Sequence, residues 1–222
     1  MNKVKQFWAL EKKDQLILFL QCTVIFNFIM TVIKFILSIS IPSLWFAVNA
    51  GFGFVLIISR FSTIKRYRKI KKVKDYNIKI KEEFKTYLQN GILLILLGIM
   101  YFFVSSYMYF NGTNTTMHEY ITYLVALIAF YSIGTAIYGM VKYKRNTEPI
   151  IKGIKITNFA HALTSLVLTQ VVLLDTFSNG YDSHINGYTG MGVSFIIILL
   201  GLYMILGMRK QILTQKYVNI KN

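Results

Sequence analysis

Ionisable and amide side chains stand inside long apolar runs of this sequence, where each of them is costly to keep. In the first run Thr23, Asn27, Thr31, Lys34 and Ser38 recur every three to four residues. That spacing puts them on one face of a helix, and the face should point into a bundle. Lys34 lies about 9 Å of helix rise from Ser40, so its stem is expected to snorkel outward. The alternative is an ion pair with Asp175, at similar depth in the fifth run. There Thr157, His161, Ser165 and Asp175 fall on one face, the first and last about five turns apart. An imidazole at His161 could ligate a metal or carry a proton; the plainer reading is a neutral His bonded to a neighbouring helix. Asn49 in the second run is its candidate partner, and Asn49 and Gly53 share a face at i,i+4.

Enzymatic constellations are not completed. His118-Glu119 does not continue into His-Glu-x-x-His, the spacing that would place two zinc ligands on one helix face. Glu82-Glu83 lacks the downstream arginine of the paired-glutamate membrane proteases. Gly192-Val193-Ser194 resembles a serine-protease turn only loosely, and small residues in a span usually serve helix packing. No catalytic residue, resident metal or cofactor is expected.

The elements that must position these residues follow from composition. Hydrophobic residues make up 55% of the 222 and charged residues 15%, against roughly 25% charged in a soluble domain. The apolar residues form six runs, at about 15–38, 42–59, 90–110, 120–141, 156–177 and 189–208. Each matches the roughly 17–25 residues that a helix needs to cross a hydrocarbon core. A soluble globular fold is excluded, and strands are disfavoured because the runs do not alternate. Cys22 is the single cysteine, so no disulfide framework can form within the chain. The expected class is an all-α integral membrane protein, one domain of six transmembrane helices. The first run is too long for a signal peptide and lacks a small-residue cleavage site.

The net charge of +16, from 25 Lys+Arg against 9 Asp+Glu, is unevenly placed. The N-terminus, the linkers 60–89 and 142–155 and the tail from Arg209 carry 24 of the basic residues. The loops 39–41, 111–119 and 178–188 carry none. By the positive-inside rule both termini are cytoplasmic. Between them, Lys65, Arg66, Arg68, Lys69, Lys71, Lys72 and Lys74 place seven basic residues within ten positions. Apolar residues recur between them at Phe61, Ile64, Tyr67, Ile70, Val73 and Tyr76, a step of three that lags the helix and gives no stable apolar stripe. Two readings stand: a helix lying on anionic phospholipid headgroups, at about 1 kcal/mol per basic residue, and a solvated topogenic linker. Nucleic acid is not expected, because a membrane-anchored basic loop meets lipid first. The Asn111-Gly112-Thr113 and Asn114-Thr115-Thr116 sequons mean little in an Ile/Lys/Asn-rich chain of bacterial character, and a multi-pass place in a bacterial plasma membrane is expected.

The order of residues resembles the cation diffusion facilitator family. Asn27, Lys34, then Ser43-Leu44 with Asn49 six residues on, are similar to that family's first hairpin. Asn146-Thr147-Glu148-Pro149 followed by Ala160 to Val167 is similar to its entry into the fifth span. The resemblance implies a six-helix bundle with both termini inside. It also implies an intramembrane metal site with acidic and imidazole ligands at positions matching Asn49, Gly53, Thr157 and His161. No carboxylate stands at those positions, and one imidazole, one amide and one hydroxyl cannot offset the desolvation of a dication. The 14 residues after Met208 do not provide that family's cytosolic metal-binding domain.

Three functions from different classes are consistent with these residues. One is a membrane subunit or scaffold whose basic face binds anionic lipid, a second copy or another membrane protein. Another is a secondary transporter of a non-divalent or small polar substrate, with Asn27, Lys34, Asn49, Gly53, Thr157, His161, Ser165 and Asp175 along its path and His161 coupling to protons. The last is a degenerate metal transporter with peripheral ligands such as Asp182 and His184.

Overall fold

The computed structural model describes residues 12–40, 43–73, 75–111, 119–142, 149–177 and 184–221. They form α1 (Lys12–Ser40), α2 (Leu44–Ile70), α3 (Tyr76–Asn111), α4 (Glu119–Lys142), α5 (Pro149–Phe177) and α6 (His184–Lys221). All six are long and apolar enough to cross a membrane. Large apolar side chains face outward, with Phe103, Leu127 and Phe130 each 68% exposed. Such a surface is suited to lipid and not to water. This is an all-helical multi-pass membrane architecture.

Neighbours in sequence pack as hairpins, α1 on α2 and α4 on α5, while α3 lies along α6. α5 is the most buried of the spans and touches α2, α3, α4 and α6. The core around it is built from Trp45, Phe46, Leu94, Tyr101, Val167, Leu168, Ile197 and Met204, each at most 1% exposed. α3 and α6 approach closely enough for their backbones to touch. A Cβ on Gly201 would stand 2.8 Å from the Gly91 carbonyl oxygen, and one on Gly98 would stand 2.7 Å from Ile198 Cγ1. Glycine is needed at those two points because any side chain would separate the helices. Gly192 has open space beside it, whereas Ser194 is fully buried, with its carbonyl 3.2 Å from where a Cβ on Gly98 would stand.

The linker 60–89, whose conformation its sequence leaves open, is mostly helix. α2 runs on to Ile70 and α3 starts at Tyr76, so the segment is a helical hairpin joined by a short turn. Val73 N–H donates to Ile70 O at 3.0 Å, and Asp75 Oδ1 accepts from Asn77 N–H at 2.9 Å to open α3. Once a helix is propagating, each added residue gains a hydrogen bond, and hydropathy marks the lipid boundary instead of the helix end. The apolar row is also used. Ile64, Tyr67 and Ile70 are buried with Val24, Ile57, Ile150, Ile151 and Ile154. Three residues at a step of three drift over only about 120°, which one packed face accommodates; Phe61, at the start of the row, is left 65% exposed.

Candidate functional site

The polar face of α1 points inward. Thr23, Asn27, Thr31 and Lys34 are all buried, while Ser38 is partly exposed and donates to Phe35 O at 2.7 Å. Lys34 is 4% exposed and its Nζ donates to Ser165 Oγ at 3.2 Å. The expected snorkelling therefore does not occur, because α5 offers a hydroxyl at the depth where the stem turns inward. Nor does Lys34 reach Asp175, which stands ten residues, about 15 Å of helix rise, beyond Ser165. Asp175 instead accepts from Asn186 Nδ2 at 3.5 Å.

On α5 the hydroxyls mostly turn back to their own helix. Thr157 Oγ1 donates to Ile154 O and Thr164 Oγ1 to His161 O, both at 2.9 Å, and Thr169 Oγ1 to Ser165 O at 3.0 Å. Toward α4 and α6 the crossing bonds of α5 are uncharged or acidic, as in Thr122–Thr176 and Gln170–Thr189, whereas toward α1 and α2 they come from cations. Arg60 of α2, only 2% exposed, donates from Nη2 to the Thr157 carbonyl at 3.1 Å. Above that contact lies a narrow polar crevice with room for about one water molecule. It is lined by Thr23 and Asn27 of α1, Arg60 of α2, Ser132 and Thr135 of α4, and Asn158 and His161 of α5. Arg60 and Lys34 both act electrostatically on His161, so two cations and an imidazole share one interior region. The lining holds no carboxylate.

The four positions matched to a metal site are engaged separately. Asn49 Nδ2 donates to Trp45 O at 3.0 Å, back along its own helix. Its Oδ1 and His161 Nδ1 are both buried without a hydrogen-bond partner among the described residues, so the expected Asn49–His161 bond is not formed. Gly53 faces α1, and a Cβ there would stand 2.6 Å from Thr31 Oγ1. Thr157 is occupied as described. Among the described residues no group of three His, Cys, Asp or Glu could hold a metal ion. At the start of α6, His184 contacts Tyr109 of α3 through its ring and through Nδ1 to the carbonyl, and Asp182 lies outside the described residues.

Arg60 was grouped with the basic linker by its charge, and sequence reasoning missed it as an interior residue. The signal was its register: it follows Asn49 by eleven and Gly53 by seven residues, and so shares their inward face. A scan against protein-family models and a search of curated proteins find no match for this chain.

At the end of the same helix pair that carries the basic linker is a wider groove of about 550 Å³. Val24, Ile25, Phe61 and Ile64 form its apolar wall, and Lys65, Arg68, Lys69 and Lys72, with Gln21, form its polar rim. Arg66 points elsewhere, donating to Gln89 of α3. Lys71 is exposed, and Lys74 lies outside the described residues.

Proposed function

We propose that this is a polytopic membrane subunit or scaffold with a cation-efflux-type fold that has lost its metal site. In this reading its basic face holds anionic phospholipid of the cytoplasmic leaflet. The observation that carries it is the groove between α1 and α2. It has an apolar wall of four side chains, a rim of four cations and no acid in its lining. A zwitterionic headgroup would leave that rim unbalanced, whereas a phosphate with net negative charge is attracted at about 1 kcal/mol per basic residue. The closed state of the matched positions supports the loss of metal carriage: Gly53 lies under Thr31, and the Asn49 amide is turned to Trp45. The partition of basic residues supports cytoplasmic termini in this reading.

The test is lipid retention by the purified protein in mixed vesicles of phosphatidylglycerol and phosphatidylcholine. The wild type should enrich the anionic lipid. Replacing Lys65, Arg68, Lys69 and Lys72 by Gln should remove up to about 4 kcal/mol of attraction if the contacts add, and high salt should weaken it by screening. Equal retention of both lipids sinks the reading. A cysteine introduced at Lys71 should react with an impermeant reagent from the cytoplasmic side alone; labelling from outside would reverse the orientation.

The buried cations favour a second reading, a secondary transporter of a non-divalent solute passing Arg60 and His161. Solute flux in proteoliposomes that follows an imposed pH gradient and is lost on His161→Ala would support it over the scaffold.

A further inference from the structure

Arg60 has more hydrogen-bond capacity than the protein uses. Nη2 is paired with Thr157 O, but Nε and Nη1 are buried without an acceptor among the described residues. A guanidinium keeps its charge in proteins, so it cannot escape by losing a proton. Two more orphans are in the same crevice, Asn158 Oδ1 and His161 Nδ1. Lys34 adds a second buried positive charge near His161. Glu83 of α3 is the buried carboxylate among the described residues, but it does not line the crevice and makes an interaction of its own.

We infer that the crevice between α1, α2, α4 and α5 binds one small monovalent anion of halide size, held by Arg60 with Asn158 and His161. Buried charges are ordinarily paired, and Arg60, Asn158 and His161, which carry four unpaired buried atoms, all line this one crevice. A water molecule could accept the hydrogen bonds of Nε and Nη1, but it would leave the positive charge unbalanced. An anion answers both needs. The Asn158 amide presents its donor Nδ2 after a half-turn, since its two ends are nearly the same shape. Neutral His161 donates from Nδ1 in one of its two tautomers. Size sets the class of anion. The crevice has about 10 Å³ for the centre of a water-sized particle, about what a single water occupies. Chloride or bromide enters with small side-chain adjustments, and a tetrahedral oxyanion does not. The inference stands apart from the lipid groove, which shares no lining residue with the crevice and takes a far larger ligand.

The experiment is thermal unfolding of the full chain in detergent, at constant ionic strength, in sodium chloride, bromide, sulfate or gluconate. Chloride and bromide should raise Tm by about 2–4 °C over gluconate, the shift for a ligand present at about five times its Kd. Sulfate should not. The halide shift should vanish in Arg60→Gln and should persist in the groove variant Lys69→Gln. If Arg60→Gln does not fold, Asn158→Leu serves in its place, because it fills the crevice without removing the guanidinium. Bromide should also give an anomalous scattering peak beside Arg60 in crystals. Equal Tm in halide and gluconate, or a halide shift unchanged in both crevice variants, would overturn the proposal. A sulfate shift equal to that of chloride would overturn its size limit.

Discussion

Along the seam between α3 and α6 the interior is made by removing side chains. Gly91, Gly98 and Gly201 let the backbones meet, and Leu94, Ile197 and Met204 close around them, with only small polar side chains such as Ser105 and Ser194 buried alongside. Between α1, α2, α4 and α5 the interior keeps its side chains, and many are polar: Asn27, Lys34, Arg60, Thr157 and His161 are each less than a tenth exposed. Helices in lipid gain little from apolar contact alone, because lipid is as apolar as leucine. Close packing is then the cheaper way to hold two spans together. A protein that carries the second arrangement beside the first is not using its buried charges for adhesion. The α3–α6 seam holds by close packing, and the four-helix group is where the proposed anion would account for the polar atoms.

The largest expected effect falls on the seam. Gly201→Val would drive a branched side chain into the Gly91 carbonyl and the Ile95 backbone N–H, and should destabilise the protein by about 3 kcal/mol, the upper end for overpacking. Thermal or denaturant unfolding in detergent checks it. An unchanged stability would mean that α3 and α6 are not held by their close approach, and the contrast between the regions would collapse.

The next effect has the opposite sign. Lys34→Met removes a buried charge whose observed bond is to Ser165 Oγ, and should stabilise the fold by roughly 1–3 kcal/mol, as buried charges often do when exchanged for apolar groups of similar length. The same unfolding assay reads it. A loss of stability would show the ammonium to be structural, which would move the four-helix group toward the scaffold side of the comparison.

The smallest effect lies where the two regions join. Ser59 Oγ donates to Asn90 Oδ1 at 2.7 Å, and Asn90 Nδ2 donates to Thr63 Oγ1 at 3.2 Å, tying α2 to α3. Ser59→Ala should cost only about 0.6 kcal/mol, the usual size of an interhelical hydrogen bond in membranes. A loss several times larger would make this junction, and not the glycine seam, the main tie between the two groups.

The spans were legible because an apolar run of this length has few other uses. The inward face of α1 was legible because Thr23, Asn27, Thr31 and Lys34 repeat at helical spacing. Three things were not. The direction of Lys34 depends on whether a neighbouring helix offers a hydroxyl at that depth, and no property of α1 records where Ser165 lies. The failure of Asn49 to meet His161 depends on how α2 is rotated against α5, which periodicity within either helix leaves open. Arg60 was hidden by its neighbours: beside seven basic residues in ten, an eighth reads as one more solvated charge, although its register with Asn49 and Gly53 sets it apart.

The continuity of α2 has a mechanical consequence. Its 27 residues run from Leu44 through the membrane to Ile70, about 40 Å as one rod, against a hydrocarbon core of about 30 Å. Arg60 at the crevice and Lys69 at the groove are nine residues apart on that rod, roughly 14 Å, with no proline or glycine between them to absorb a bend. A tilt or a turn of the outer end is therefore inherited by the guanidinium. The basic groove and the interior crevice are two points on a single lever, and whatever grips one end fixes the position of the other.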